Sequence, residues 1–195
     1  MQLTAVFESW HIGDGNYPPL DVGQLVRLSF ELEPVDEPRR TTDPRDRLQH
    51  LGEAEYEGIG QVVGSWSGLT VLKAGDFHFY IGRALPGLPP GSRCEFRGTL
   101  LLDHFAWVEN RGNLMGSPNL LVNLRVVRIR KISLPERVVA RTDQGKSFPT
   151  RVPPSDYGDV IELDTMQDQA FDEEFYVIDF DGAGLENASV PITFQ

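Results

Sequence analysis

The chain has 195 residues, of which 40% are hydrophobic and 24% charged, and its formal net charge is −11. That length supports one well-buried core, or one domain with an appendage, and the balance is that of a globular chain and not a disordered one. No apolar run approaches the ~20 residues of a membrane helix. The start, "MQLTAVFESWHIGDG", lacks the basic region of a secretory signal. The single cysteine, Cys94, excludes an internal disulfide and a thiolate metal site, so a cytoplasmic location is expected.

Alternation at period two marks the first strands. Leu3, Ala5 and Phe7 share one face of residues 2–10. In "QLVRLSFELE" (24–33), Val26, Leu28, Phe30 and Leu32 share one face, with Arg27, Ser29, Glu31 and Glu33 on the other. One helix is expected next. Asp43 can cap it, Pro44 suits its first position, Leu48 and Leu51 share a face and Gly52 stops it.

Strands then resume. The glycines of "YEGIGQVVGSWSGLTVL" suggest bulges or the sharp bends of barrel corners. In "DFHFYIG" (76–82), Phe77, Phe79 and Ile81 face inward, with Asp76, His78 and Tyr80 outward. In residues 93–109, Cys94, Phe96, Leu100 and Leu102 face inward.

"NLRVVRIRKISL" (123–134) carries Arg125, Arg128, Arg130 and Lys131 in a strand pattern whose parity flips at Val127. A β-bulge at Val126–Val127 accounts for the flip and brings Arg125, Arg128 and Arg130 to one outer face. A segment punctuated by proline and glycine follows (135–156), then two short apolar runs flanked by acids, "DVIELD" and "FYVIDFD".

These elements define an all-β, mainly antiparallel fold: a small OB-like barrel or sandwich with one short helix and an acidic, β-rich C-terminal extension. The expected division is a β-barrel core at 1–134, then a linker and acidic segment at 135–195 packed on that core. The OB likeness is an analogy of fold and carries little functional weight.

The charge is unevenly placed. All 18 Lys and Arg lie at or before Arg151, with 18 of the 29 acids, while residues 152–195 hold 11 acids and no Lys or Arg. Such asymmetry bears on association. The expected function is therefore a non-enzymatic interaction protein. Its acidic segment, including Asp164, Asp168, Asp172, Glu173, Glu174, Asp179 and Asp181, meets a basic protein partner or folds back on the basic face of Arg125, Arg128, Arg130 and Lys131. The bland alternative is a run of solvated acids that only aids solubility.

Two other classes compete. An oligonucleotide-binding barrel would use the arginines with His78, Tyr80, Trp66 and Trp107 as a stacking platform, but the acidic segment opposes a polyanion. A metal-dependent hydrolase would centre on His78 and His104, with His11, Asp14 and Asp76 as further ligands, but no spacing requires them to converge. No catalytic residue, metal or cofactor is expected. "ARTDQGKS" (140–147) has Ala140 where a phosphate loop needs glycine, and "FPTRVPP" follows where a helix is needed. "GSWSG" (64–68) has Trp66 where a nucleophile elbow needs serine. Cys94 reads as a small core residue.

Overall fold

Period-two burial marks some strands of the computed structural model, while others are buried on both faces; the structure describes residues 1–8, 10–13, 15, 17–103, 107, 116–135, 154–166 and 174–183. Its strands, in chain order, are β1 (Gln2–Glu8), β2 (Leu25–Leu28), β3 (Phe30–Pro34), β4 (Arg39–Arg40), β5 (Arg47–Gly52), β6 (Glu55–Trp66), β7 (Leu69–Ala74), β8 (Phe77–Ile81), β9 (Arg93–Leu102), β10 (Val122–Ser133), β11 (Val160–Leu163) and β12 (Glu174–Asp181). A single helical turn, α1 (Trp10–Gly13), follows β1. The fold is all-β, with a closed five-stranded OB-like barrel and extra strands.

The chain divides into two compact units. One is Ser29–Leu121; the other combines Met1–Leu28 with Val122–Gln195. The boundaries differ from a division at 134/135 because β10 pairs along its length with β12 and so groups with the C-terminal segment.

The contiguous unit holds the barrel. β9 pairs with β3 and β6, β6 with β7, and β7 with β8, all antiparallel; β8 returns to β3 in parallel through Glu31 and Tyr80. The inward faces of β3, β8 and β9 supply a chain of edge-on and tilted aromatics: Phe30 to Phe77, Phe77 to Phe79 and Phe79 to Phe96, with ring centroids 5.2–5.7 Å apart. Cys94 lies fully buried in β9, and burial pushes its thiol up to about 11. It therefore behaves as a small apolar residue.

Glycine lets β6 approach its neighbours. A Cβ on Gly58 would meet the Arg47 carbonyl oxygen of β5 and, at 2.6 Å, the Phe96 ring of β9. The register of β6 also shifts between Val62 and Gly64, the bulge expected of its glycines. The β6–β7 hairpin turns at Ser67 and Gly68, both at positive φ, as two-residue hairpins require.

The helix expected from Asp43 to Gly52 does not form; residues 47–52 are β5, paired with β6. Its signals serve other contacts. Asp43 Oδ1 accepts the Arg45 N–H at 3.0 Å, a local turn in place of a cap, and Asp46 accepts Arg93 at 2.6 Å and the Gly75 N–H at 3.2 Å. Leu51 stays exposed, so a helix here would have had little apolar face to bury.

The second unit is a sheet in the order β11, β10, β12, β1. β2 lies end to end with β11 along the same edge of β10: it pairs with residues 122–125 and β11 with residues 129–132. Leu3, Ala5 and Phe7 are buried, and so are Thr4, Val6 and Glu8, so β1 is covered on both faces. The C-terminal segment is no appendage, because β12 sits inside this sheet, bonded to β1 over seven residues and to β10 on its other side. Phe175, Tyr176, Val177 and Ile178 are consecutively buried, the pattern of a strand covered on both faces.

We expect Gly58→Ala to lower stability by about 1–3 kcal/mol, the cost of overpacking a close-packed site. Urea unfolding checks it; an unchanged midpoint would mean that β5 and Phe96 yield freely.

Candidate functional site

The bulge in β10 decides where its cations go. Register with β12 shifts between Val126 and Arg128, so Val127 bulges out and is half-exposed while Val126 and Ile129 both stay buried. Arg125 and Arg128 are thereby exposed, and Arg130 follows Arg128 on the face opposite Ile129. Lys131 does not join them. Its parity is that of Ile129, so it points to the other face, where its side chain is 9% exposed.

The acidic segment holds three of these four cations. Arg128 Nε lies 2.8 Å from Glu162 of β11, and its Nη1 lies 3.9 Å from Asp179 of β12. Arg130 donates to Asp179 Oδ1 at 3.3 Å, and Thr4 of β1 donates to the same oxygen at 2.8 Å. Lys131 Nζ stands 2.6 Å from Glu174. One polar rung thus crosses four strands: Glu162, the arginines, Asp179 and Thr4. Arg125 stands opposite Asp181 in register and donates to the Gly23 carbonyl at 3.2 Å. Asp181 accepts the Ala183 N–H, and Asp164 is exposed. Asp168, Asp172 and Glu173 lie outside the described residues.

A buried polar cluster that the sequence did not signal lies in the barrel unit. Asp103 is fully buried and accepts from Tyr80 OH at 2.6 Å, Ser29 Oγ at 2.8 Å and the Trp107 N–H at 3.2 Å. Tyr80 OH also stands 3.1 Å from Glu31. Alternation placed Tyr80 and Ser29 outward; both are buried, because their hydroxyls meet Asp103 there. The Tyr80 ring stacks on Trp107, and Trp107 meets Trp66 edge-on at 6.4 Å. Burial first, then the charges of Asp103 and Glu31, push the Tyr80 hydroxyl well above its ordinary value. The cluster is thus a site that holds a phenol proton tightly.

The histidines do not converge on one another by any described contact. His11 is buried between Phe7 and Tyr17. His78 is half-buried; burial and then Lys73 hold its imidazole below the usual value, against a smaller opposing pull from Asp76. His104, Asp14, Lys146 and Ser147 lie outside the described residues. Among the described residues no three of His, Cys, Asp and Glu come together as a metal group. Among the described residues no helix is long and apolar enough to cross a membrane.

An open cleft of about 230 Å³ lies on the barrel unit, lined by Arg39, Arg47, Arg97, Asp36, Glu57 and Glu95, among others, and by Phe96. Two of its arginines are paired: Arg47 with Glu57 of the lining at 4.0 Å, and Arg97 with Glu55 beside it at 2.6 Å. No protein-family model, no curated protein and no solved structure matches this chain.

Two outcomes test this geometry. Ile178→Asp, which buries a charge in β12, should cost at least about 4 kcal/mol, whereas Arg128→Ala at an exposed pair should cost about 0–1 kcal/mol; comparable urea midpoints would refute the ranking. The second concerns alkali. Tyr80 holds its proton more tightly folded than unfolded, so its contribution is complete below about pH 10 and falls as pH rises through the folded value. Stability should therefore fall as pH rises above about 10, and Tyr80→Phe should flatten that fall.

Proposed function

We propose that this protein is a non-enzymatic interaction module that offers an acidic surface to a basic protein partner. One observation carries the reading: Arg128, Arg130 and Lys131 are engaged by Glu162, Asp179 and Glu174 of the protein's own C-terminal segment. The strand that would have attracted a polyanion is thereby largely neutralised. The excess acids, with no Lys or Arg after Arg151, remain to set the field of this unit. Dense acids raise association rates with basic partners and disfavour acidic ones.

The oligonucleotide reading is weakened separately: of its four aromatic and imidazole rings, Tyr80 and Trp107 are buried and offer no face to a base, while His78 and Trp66 are half-buried.

Polylysine should bind the full chain at low ionic strength and weaken steeply with salt, while heparin and single-stranded DNA should not bind. Fluorescence anisotropy with labelled polymers checks both. Binding of either polyanion more tightly than polylysine would overturn the reading.

A further inference from the structure

The sheet of the discontinuous unit ends in β11, and among the described residues no strand pairs with its outer side. Val160 and Ile161 point to opposite faces, yet they are 51% and 50% exposed, as happens when a strand lacks a neighbour. Val22 and Leu25 are exposed by the same edge of β10. Four of the large apolar side chains left in water therefore sit on one flank of one sheet.

The backbone there has a defined polarity. Ser133 N–H donates to the Asp159 carbonyl at 3.0 Å. Antiparallel pairing alternates, so Asp159, Ile161 and Leu163 turn their backbone groups to β10. The amides and carbonyls of Val160 and Glu162 turn away from it. Further along, Val22 N–H donates to the Asp164 carbonyl and closes that end. The open stretch is short and is bounded by Asp159 and Asp164.

We propose that β11 is a docking edge for an extended, basic peptide segment of a partner protein, added as an antiparallel strand. This rests on the acidic-surface reading above and specifies where and how the partner binds. Main-chain hydrogen bonds to Val160 and Glu162 hold the added strand. Aliphatic side chains in the peptide cover Val160 and Ile161, and its Lys or Arg side chains face Asp159, Glu162 and Asp164. Charge selects this occupant over a second copy of the chain. Residues 152–166 contain no Lys or Arg; two such edges in antiparallel register would set like charges opposite each other, and the Arg128–Glu162 pair offsets only one of them.

The probe is a short labelled peptide alternating lysine and valine, titrated into the full chain by anisotropy. Val160→Pro removes the outward N–H at the first residue of an edge strand, where proline is tolerated, and leaves the β10 ladder intact. It should weaken the peptide at least about tenfold with the urea midpoint unchanged. A peptide methylated at alternate backbone nitrogens, which keeps the charges and side chains, should lose binding to the unaltered protein by a similar factor; this arm needs no variant to fold. Equal binding of the methylated and unmethylated peptides, or of Val160→Pro and the unaltered chain, would overturn the edge. Polylysine binding without peptide binding would sink the edge and leave the acidic surface standing. Binding of neither would sink both. A dimer that sedimentation detects and Val160→Pro dissociates would make a second copy the occupant and overturn the basic peptide.

Discussion

A strand hydrogen-bonded on both sides cannot leave without opening the sheet, and β12 is such a strand. It lies between β1 and β10, and its four consecutive buried residues fill the space on either face. Everything distinctive about the charge follows from that placement. Asp179 reaches Arg130 and Thr4 because β12 lies between their strands. The exposed pairs individually contribute little; the apolar residues hold the strand, and the charges fix its neighbours. A one-residue slip would set Asp179 on the face of Tyr176 and Ile178.

The barrel unit solves a different problem. A small closed sheet must bend sharply and still fill its interior. Glycines at 58, 60 and 98 allow close approach where a Cβ would strike a neighbouring carbonyl. The Phe30, Phe77, Phe79 and Phe96 rings fill the interior. Asp103 sits just past β9 and is buried with three donors, so its carboxylate is satisfied without an apolar substitute. Apolar packing thus shapes the barrel, and one hydrogen-bonded cluster fixes where its last strand ends.

Strand positions were legible in the sequence wherever one face alone was buried. Val26, Leu28, Phe30 and Leu32 alternate and are all buried. The β10 bulge was legible too, because a parity flip has few other causes. Two kinds of information were not. Period two cannot report a strand covered on both faces, so Tyr80 and Ser29 read as outward residues and the Asp103 cluster stayed hidden. Local signals also cannot report who uses them. Asp43, Pro44 and Gly52 spell a helix, but Asp43 serves a turn and residues 47–52 pair with a β6 strand whose glycines admit them. Arg128, Arg130 and Lys131 all meet acids of the C-terminal segment; Lys131 does so on the other face, where the parity of Ile129 puts it.

The Thr4–Asp179 bond joins positions 175 apart, whereas every barrel strand falls between residues 30 and 102. During synthesis the barrel's strands are all present once β9 has emerged, and a contiguous domain folds as a unit. The β1–β12 pairing must wait much longer, since β12 is among the later residues made. Until then Leu3, Ala5 and Phe7 have no β12 beside them, and β10 likewise exposes an unpaired edge. Non-local pairing of this kind is slow. A nascent chain therefore carries the apolar residues of β1 for most of its synthesis before residues 174–181 exist to pair with them.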